Sequence, residues 1–151
     1  MITLALDLGT TLGWASCSAG GVVLGSGAVR LAKPGDHVGK RYAQFLGWLN
    51  SLSMTPSHIV YEDVKFFRGI ESSRVWCGLF AVLRMHAYRK AVPLTGIHLA
   101  TVKKHATGKG NADKAAMVHA ARALWPTQML GSDSEDQADA LWILDAFLAR
   151  N

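Results

Sequence analysis

The stretch LALDLGTTLGWA, residues 4–15, constrains this chain more than any other. Its apolar residues surround one carboxylate, Asp7, which stands between Leu6 and Leu8. A strand of this kind buries at least one face, and a carboxylate there is costly unless something pairs with it. The chain then runs straight into Gly9-Thr10-Thr11, a turn signal. A metal ion, a nucleotide's phosphates or a backbone turn would each partner the acid.

The 151 residues are enough for one domain with one core of ordinary size. Half of them are apolar and no stretch is low in complexity, which argues against disorder. No apolar run has the length of a membrane span. The first residues carry no basic segment and enter a strand at once, so no secretory signal is expected, and no membrane partner. Cys17 and Cys77 lie far apart in sequence with no metal or redox spacing. They are expected to be buried thiols in a reducing cytoplasm. The six histidines are scattered and offer no zinc spacing.

The net charge of +5 suits a nucleic-acid partner. Basic residues gather at 33–41, 65–74, 84–90 and 103–114, whereas acids gather at isolated points and at 133–139.

Alternation predicts strands over 2–8, 14–18 and 21–30, with a hairpin at Ala19-Gly20-Gly21. Helical spacing of Tyr42, Phe45, Leu46, Leu49 and Leu52 predicts a helix over 40–53. HIVYEDV, 58–64, reads as a buried strand, and 65–72 as a basic, aromatic loop. A long helix over 73–91 and a short strand beginning at Leu94 follow. Residues 103–111 read as a Lys/Gly-rich loop, and helices over 112–124 and 135–150 close the chain. The order β-β-β-α-β-α-β-α-α describes a single α/β or α+β domain over 1–151.

Four acids fall at the ends of these elements. Asp7 lies in the first strand, Glu62 ends IVYE, and Asp136 and Asp139 open the last helix. Being three apart, the last two share a helical face. Singly, each has a structural explanation: Asp136 as a first-turn acid, Glu62 as a surface residue at a strand end. Together they point to hard divalent cations. Mg²⁺ takes oxygen ligands and needs only one or two carboxylates per ion. A pair of ions serves phosphodiester hydrolysis by stabilising both attacking and leaving oxygens.

At this point the sequence resembles a known family. LALDLGTTLGWA, IVYEDV, TVKKHATGKGNADKAAM and EDQADALWI, in that order, are similar to the RuvC-like Holliday junction resolvases of the ribonuclease H-like superfamily. The resemblance covers almost the whole chain. It implies a mixed five-stranded sheet flanked by helices. It also implies a homodimer that nicks two strands of a four-way junction symmetrically, leaving 5′-phosphate and 3′-hydroxyl ends. It assigns Asp7, Glu62, Asp136 and Asp139 as ligands of two Mg²⁺ or Mn²⁺. Lys103 and Lys114, on either side of Gly108-Lys109-Gly110, become catalytic-site lysines. The family's aromatic wedge falls at Lys65, with Phe66 and Phe67 next, so either ring is a candidate. Lys40, Arg41, Lys65, Phe66, Phe67, Arg68, Arg74, Lys104 and Lys109 make up the expected DNA-binding set. Asp133 and Glu135 crowd the Asp-x-x-Asp pair.

Two further readings use the same residues. A broader debranching nuclease, or a branched-DNA binder without catalysis, would keep the basic segments. DLGTT also resembles the first phosphate loop of actin-like ATPases and sugar kinases. Those need two such domains, and neither the length nor a P-loop supports them, so no nucleotide cofactor is expected.

Overall fold

The structure, a computed structural model, describes residues 1–65, 69–130 and 134–150. The leucine-rich alternation of the opening stretch forms β1 (Ile2–Asp7), which turns at residues 8–10 into β2 (Thr11–Ser18). A second hairpin leads to β3 (Val23–Arg30). Gly21 sits there at φ 77°, a conformation that costs glycine nothing. α1 (Lys40–Ser51), β4 (His58–Asp63), α2 (Ile70–Lys90) and β5 (Leu94–His98) follow. The chain ends with α3 (Leu99–Thr107), α4 (Lys114–Leu124) and α5 (Glu135–Leu148).

The five strands form one mixed sheet in the order β3-β2-β1-β4-β5. β1 pairs antiparallel with β2 and parallel with β4, and β4 pairs parallel with β5. Period-2 alternation sends the two faces of β1 into different cores. Leu4, Leu6 and Leu8 join Phe45 of α1 and Leu79 and Leu83 of α2 on one face. Ala5 joins the core made with α3, α4 and α5 on the other. α5 is nearly continuous in apolar residues because it lies across all five strands and is covered by α3 and α4. Among the described residues no helix is long and apolar enough to cross a membrane.

Two expectations are corrected. The basic segment at 103–111 is not all loop, because α3 occupies 99–107. The His98 imidazole accepts from the Ala100 N–H at its start, and Gly108 closes it at φ 77°. The glycines at 108 and 110 mark the end of a helix rather than a loop throughout. Cys77 is exposed, whereas Cys17 is buried as expected. Cys77 falls on the outer face of α2, roughly opposite Leu79, since two helical steps turn the direction by about 200°. Smaller differences lie at the ends of elements. β2 begins at Thr11 rather than Trp14, and α2 begins at Ile70 rather than Ser73.

Candidate active site

The four acids meet where the parallel strands end. Leu6 of β1 stands level with Tyr61 of β4. One step further, Asp7 and Glu62 therefore emerge side by side. Asp7 shares its strand face with Ala5, and Glu62 shares its face with Val60, and both of those residues lie in the α5 core. α5 brings the other two acids to this point. The Ser134 hydroxyl starts the helix by accepting from the Gln137 N–H at 3.2 Å, which places Glu135 and Asp136 in the first turn. The positive end of the helix favours acids there.

Gly13 decides how closely α5 can approach. It pairs with Asp7 across the β1–β2 ladder. A Cβ at this position would overlap the backbone carbonyl of Asp136. Only glycine lets the first turn of α5 rest on the strand that faces Asp7.

Burial, with repulsion from neighbouring acids, shifts the carboxyls of the cluster upward. The Asp7 carboxyl is pushed well above the ordinary range, first by burial, then by Glu62, Asp139 and Asp136. Burial and then Asp139 raise Glu62 to about 7. Burial lifts Asp139 to about 6, with Asp136 adding to the rise and Lys114 and Lys103 opposing it. Asp136 is also raised, chiefly by burial.

Both lysines border this cluster. Lys103 projects from α3 and lowers Glu62 and Asp139. Lys114 is the first residue of α4, which Asp113 caps by accepting from the Ala116 N–H at 2.8 Å. Its ammonium pairs with Glu135 and acts on Asp7, Asp136 and Asp139. Glu135 thus lies beside the cluster as the counter-ion of Lys114. Asp133, Phe66, Phe67 and Arg68 lie outside the described residues.

The other expected DNA contacts are dispersed. Lys65, Lys104 and Lys109 are exposed. Lys40 pairs with Asp36 at 2.9 Å, and Arg74 pairs with Glu71 at 2.6 Å. Arg41, among the described members of the set, turns inward, with Nη1 3.4 Å from the Thr10 hydroxyl. Its position beside the β1–β2 turn depends on α1 packing, and no local pattern in the sequence marks it.

The donor set at the cluster is all oxygen, which suits a hard cation. Among the described residues no three such side chains close around one point.

No protein-family model matches the sequence, and no curated protein does. Solved structures do. Thermus thermophilus RuvC in complex with a Holliday junction substrate superposes with a TM-score of 0.70 at 24% identity, over 99% of this chain and 95% of that one. The yeast mitochondrial Holliday junction resolvase Ydc2 superposes with a TM-score of 0.68 at 16% identity, over 97% of this chain and 77% of that one. The chain has the ribonuclease H-like fold of RuvC. The likeness covers nearly the whole chain, and the implied five-stranded mixed sheet is the observed one.

Proposed function

We propose that this protein is a metal-dependent, structure-selective endodeoxyribonuclease that resolves Holliday junctions by paired symmetric nicks. The observation that carries the reading is the convergence of Asp7, Glu62, Asp136 and Asp139 from three elements into one partly buried cluster with raised pKa values, bordered by Lys103 and Lys114. Buried acids, with Asp7 raised further by Glu62, Asp139 and Asp136, are unfavourable as architecture alone and are relieved by divalent cations. The similar proteins of known structure are a RuvC bound to a Holliday junction and a Holliday junction resolvase.

In this reading Asp7, Glu62, Asp136 and Asp139 hold two Mg²⁺ or Mn²⁺. Such ions, when bound, supply Lewis-acid activation of water and stabilise the leaving 3′ oxygen. The protein's own part is positioning and charge. β1 and β4 hold their two carboxylates on rigid strands, and α5 holds its pair on one helical face. Lys103 and Lys114 stabilise the negative charge that develops on the scissile phosphate. Lys114 is poised by Glu135, which keeps its ammonium protonated. The exposed Lys65, Lys104 and Lys109 follow backbone phosphates. α2 exposes Ile70, Met85 and Tyr88, which supports pairing of two copies through this helix and so two sites per assembly.

The test is cleavage of labelled four-way junction, Y-fork and linear duplex with Mg²⁺, with Mn²⁺ and with EDTA. Paired, metal-dependent nicks near the branch point, absent in Asp7→Asn while junction binding persists, are expected. Equal cutting of every branched form would favour a general debranching nuclease. Junction binding with no cutting under any metal would refute catalysis.

A further inference from the structure

Beside the acidic cluster lies a second feature that the four carboxylates do not use. A cavity of about 450 Å³ opens between the β1–β2 turn, the start of α1 and the first turns of α2. Its walls are Gly9 and Thr10 on one side, Val75 and Trp76 on another, and Arg41. Leu8 and Val64 also line it, so it begins one residue beyond Asp7 and two beyond Glu62. Leu8 belongs to the α1/α2 face of the sheet whereas Asp7 and Glu62 share the α5 face, so a DNA strand with a phosphate at the cluster would reach this cavity by passing over the ends of β1 and β4.

Arg41 is the anomaly within it. Its Nε is out of contact with solvent and has no hydrogen-bond partner among the described residues. Its Nη1 finds only the neutral Thr10 hydroxyl, at a long 3.4 Å. A guanidinium is always charged and offers its donors as a planar fork that matches an oxyanion. Glu71 also lines the cavity, but it pairs with Arg74 rather than with Arg41. The fork is thus half buried beside a cavity and, among the described residues, lacks an anionic partner. Thr10 adds a hydroxyl donor, and Val75 and Trp76 supply an apolar wall of the kind that accepts a sugar or base face.

We propose that this cavity holds one nucleotide of the cleaved strand next to the scissile phosphate, with that nucleotide's phosphate on the Arg41 guanidinium and the Thr10 hydroxyl. The assignment rests on the nuclease reading and adds a positioning site to it. Arg41 then sets the register of the strand over the carboxylates instead of gripping a distant arm.

The experiment is a linkage scan. Junctions carrying one neutral methylphosphonate at successive positions around the cleavage site are titrated against Asp7→Asn protein and against the same protein with Arg41→Gln. Loss of one charge-assisted contact corresponds to about tenfold in affinity. One linkage beside the scissile phosphate is expected to cost the parent about that factor and to cost the Arg41→Gln protein nothing further, while other sensitive linkages remain sensitive in both. Arg41→Lys keeps the charge without the fork and is expected to lose an intermediate amount. Thermal unfolding separates a structural role. A lower melting temperature in Arg41→Gln with the same sensitivity at every linkage overturns the proposal. Saturable binding of inorganic phosphate or AMP that depends on Arg41, with no linkage effect, overturns it in favour of a free-nucleotide site. Failure of the Asp7→Asn protein to bind any junction overturns the nuclease reading and this site together. Junction binding with no Arg41-matched linkage overturns this site alone.

Discussion

Replacing Glu62 by glutamine is expected to make the metal-free protein more stable, although it removes a residue of the proposed catalytic set. Burial and Asp139 raise the Glu62 carboxyl from its usual 4.5 to about 7. Above pH 7 the side chain is ionised in folded and unfolded chains alike, and only the folded chain bears the cost of the buried charge. At about 1.4 kcal/mol per pH unit the rise corresponds to about 3 kcal/mol, and residual water contact trims it to about 2–3. The sign follows from proton binding. The folded chain holds a proton at Glu62 that the unfolded chain releases between pH 4.5 and 7, so stability falls as pH rises through that window. Glutamine imitates the protonated side chain at every pH. Glu62→Gln should therefore match the parent near pH 4.5 and exceed it by the full amount at pH 8. For a chain of this size that is about 5–10 °C in melting temperature. Urea unfolding followed by circular dichroism, in EDTA at pH 5, 6, 7 and 8, measures the difference. Adding Mg²⁺ should stabilise the parent at pH 8 much more than it stabilises the variant. A variant that is less stable than the parent at pH 8 without metal, or equally more stable at every pH, would refute the electrostatic account of the cluster.

Three other outcomes are expected. Gly13→Ala must displace the first turn of α5 from β2, because its Cβ overlaps the Asp136 carbonyl. A loss of about 3 kcal/mol or more in urea unfolding, together with loss of cleavage, is expected. A stable variant that cuts normally would show that this contact does not position the helix. Lys114→Met removes a cation that lowers the pKa of Asp139, Asp136 and Asp7, so the acidic limb of the cleavage profile should move to higher pH. A profile that drops in rate without moving would place Lys114 at the phosphate alone. Junction affinity should fall steeply with salt, as log K against log salt, in proportion to the phosphates neutralised. A flat dependence would remove the basic surface from the binding site.

The chemistry of the proposed site was legible in the chain because the acids stand at positions that local rules mark. Asp7 interrupts an apolar strand, Glu62 ends one, and Asp136 and Asp139 follow a helix-starting serine at a spacing that shares one face. The order of elements was legible too, from alternation in the strands and from helical spacing in α1 and α2. α3 was not, since its nine residues bury only Val102 and its glycine-closed end resembles a loop. The basic members of the expected DNA-binding set were read from the clustering of charge. Charge cannot tell Lys40, which is tied to Asp36, from Arg41, which is folded against the β1–β2 turn.

The sequence by itself therefore determined which side chains the proposed chemistry would use and on which kind of element each is mounted. Period and capping are local properties, set within a few residues. Only the tertiary structure decided that Asp7 and Glu62 stand level, because parallel register between β1 and β4 joins segments separated by a hairpin and a helix. It alone brought α5 onto β2 through the missing side chain of Gly13, and set Lys103 and Lys114 on two different helices around one cluster. Arg41 reached its cavity by the same route. These relations are long-range contacts, fixed by how layers pack on the sheet, and no pattern within one segment encodes them.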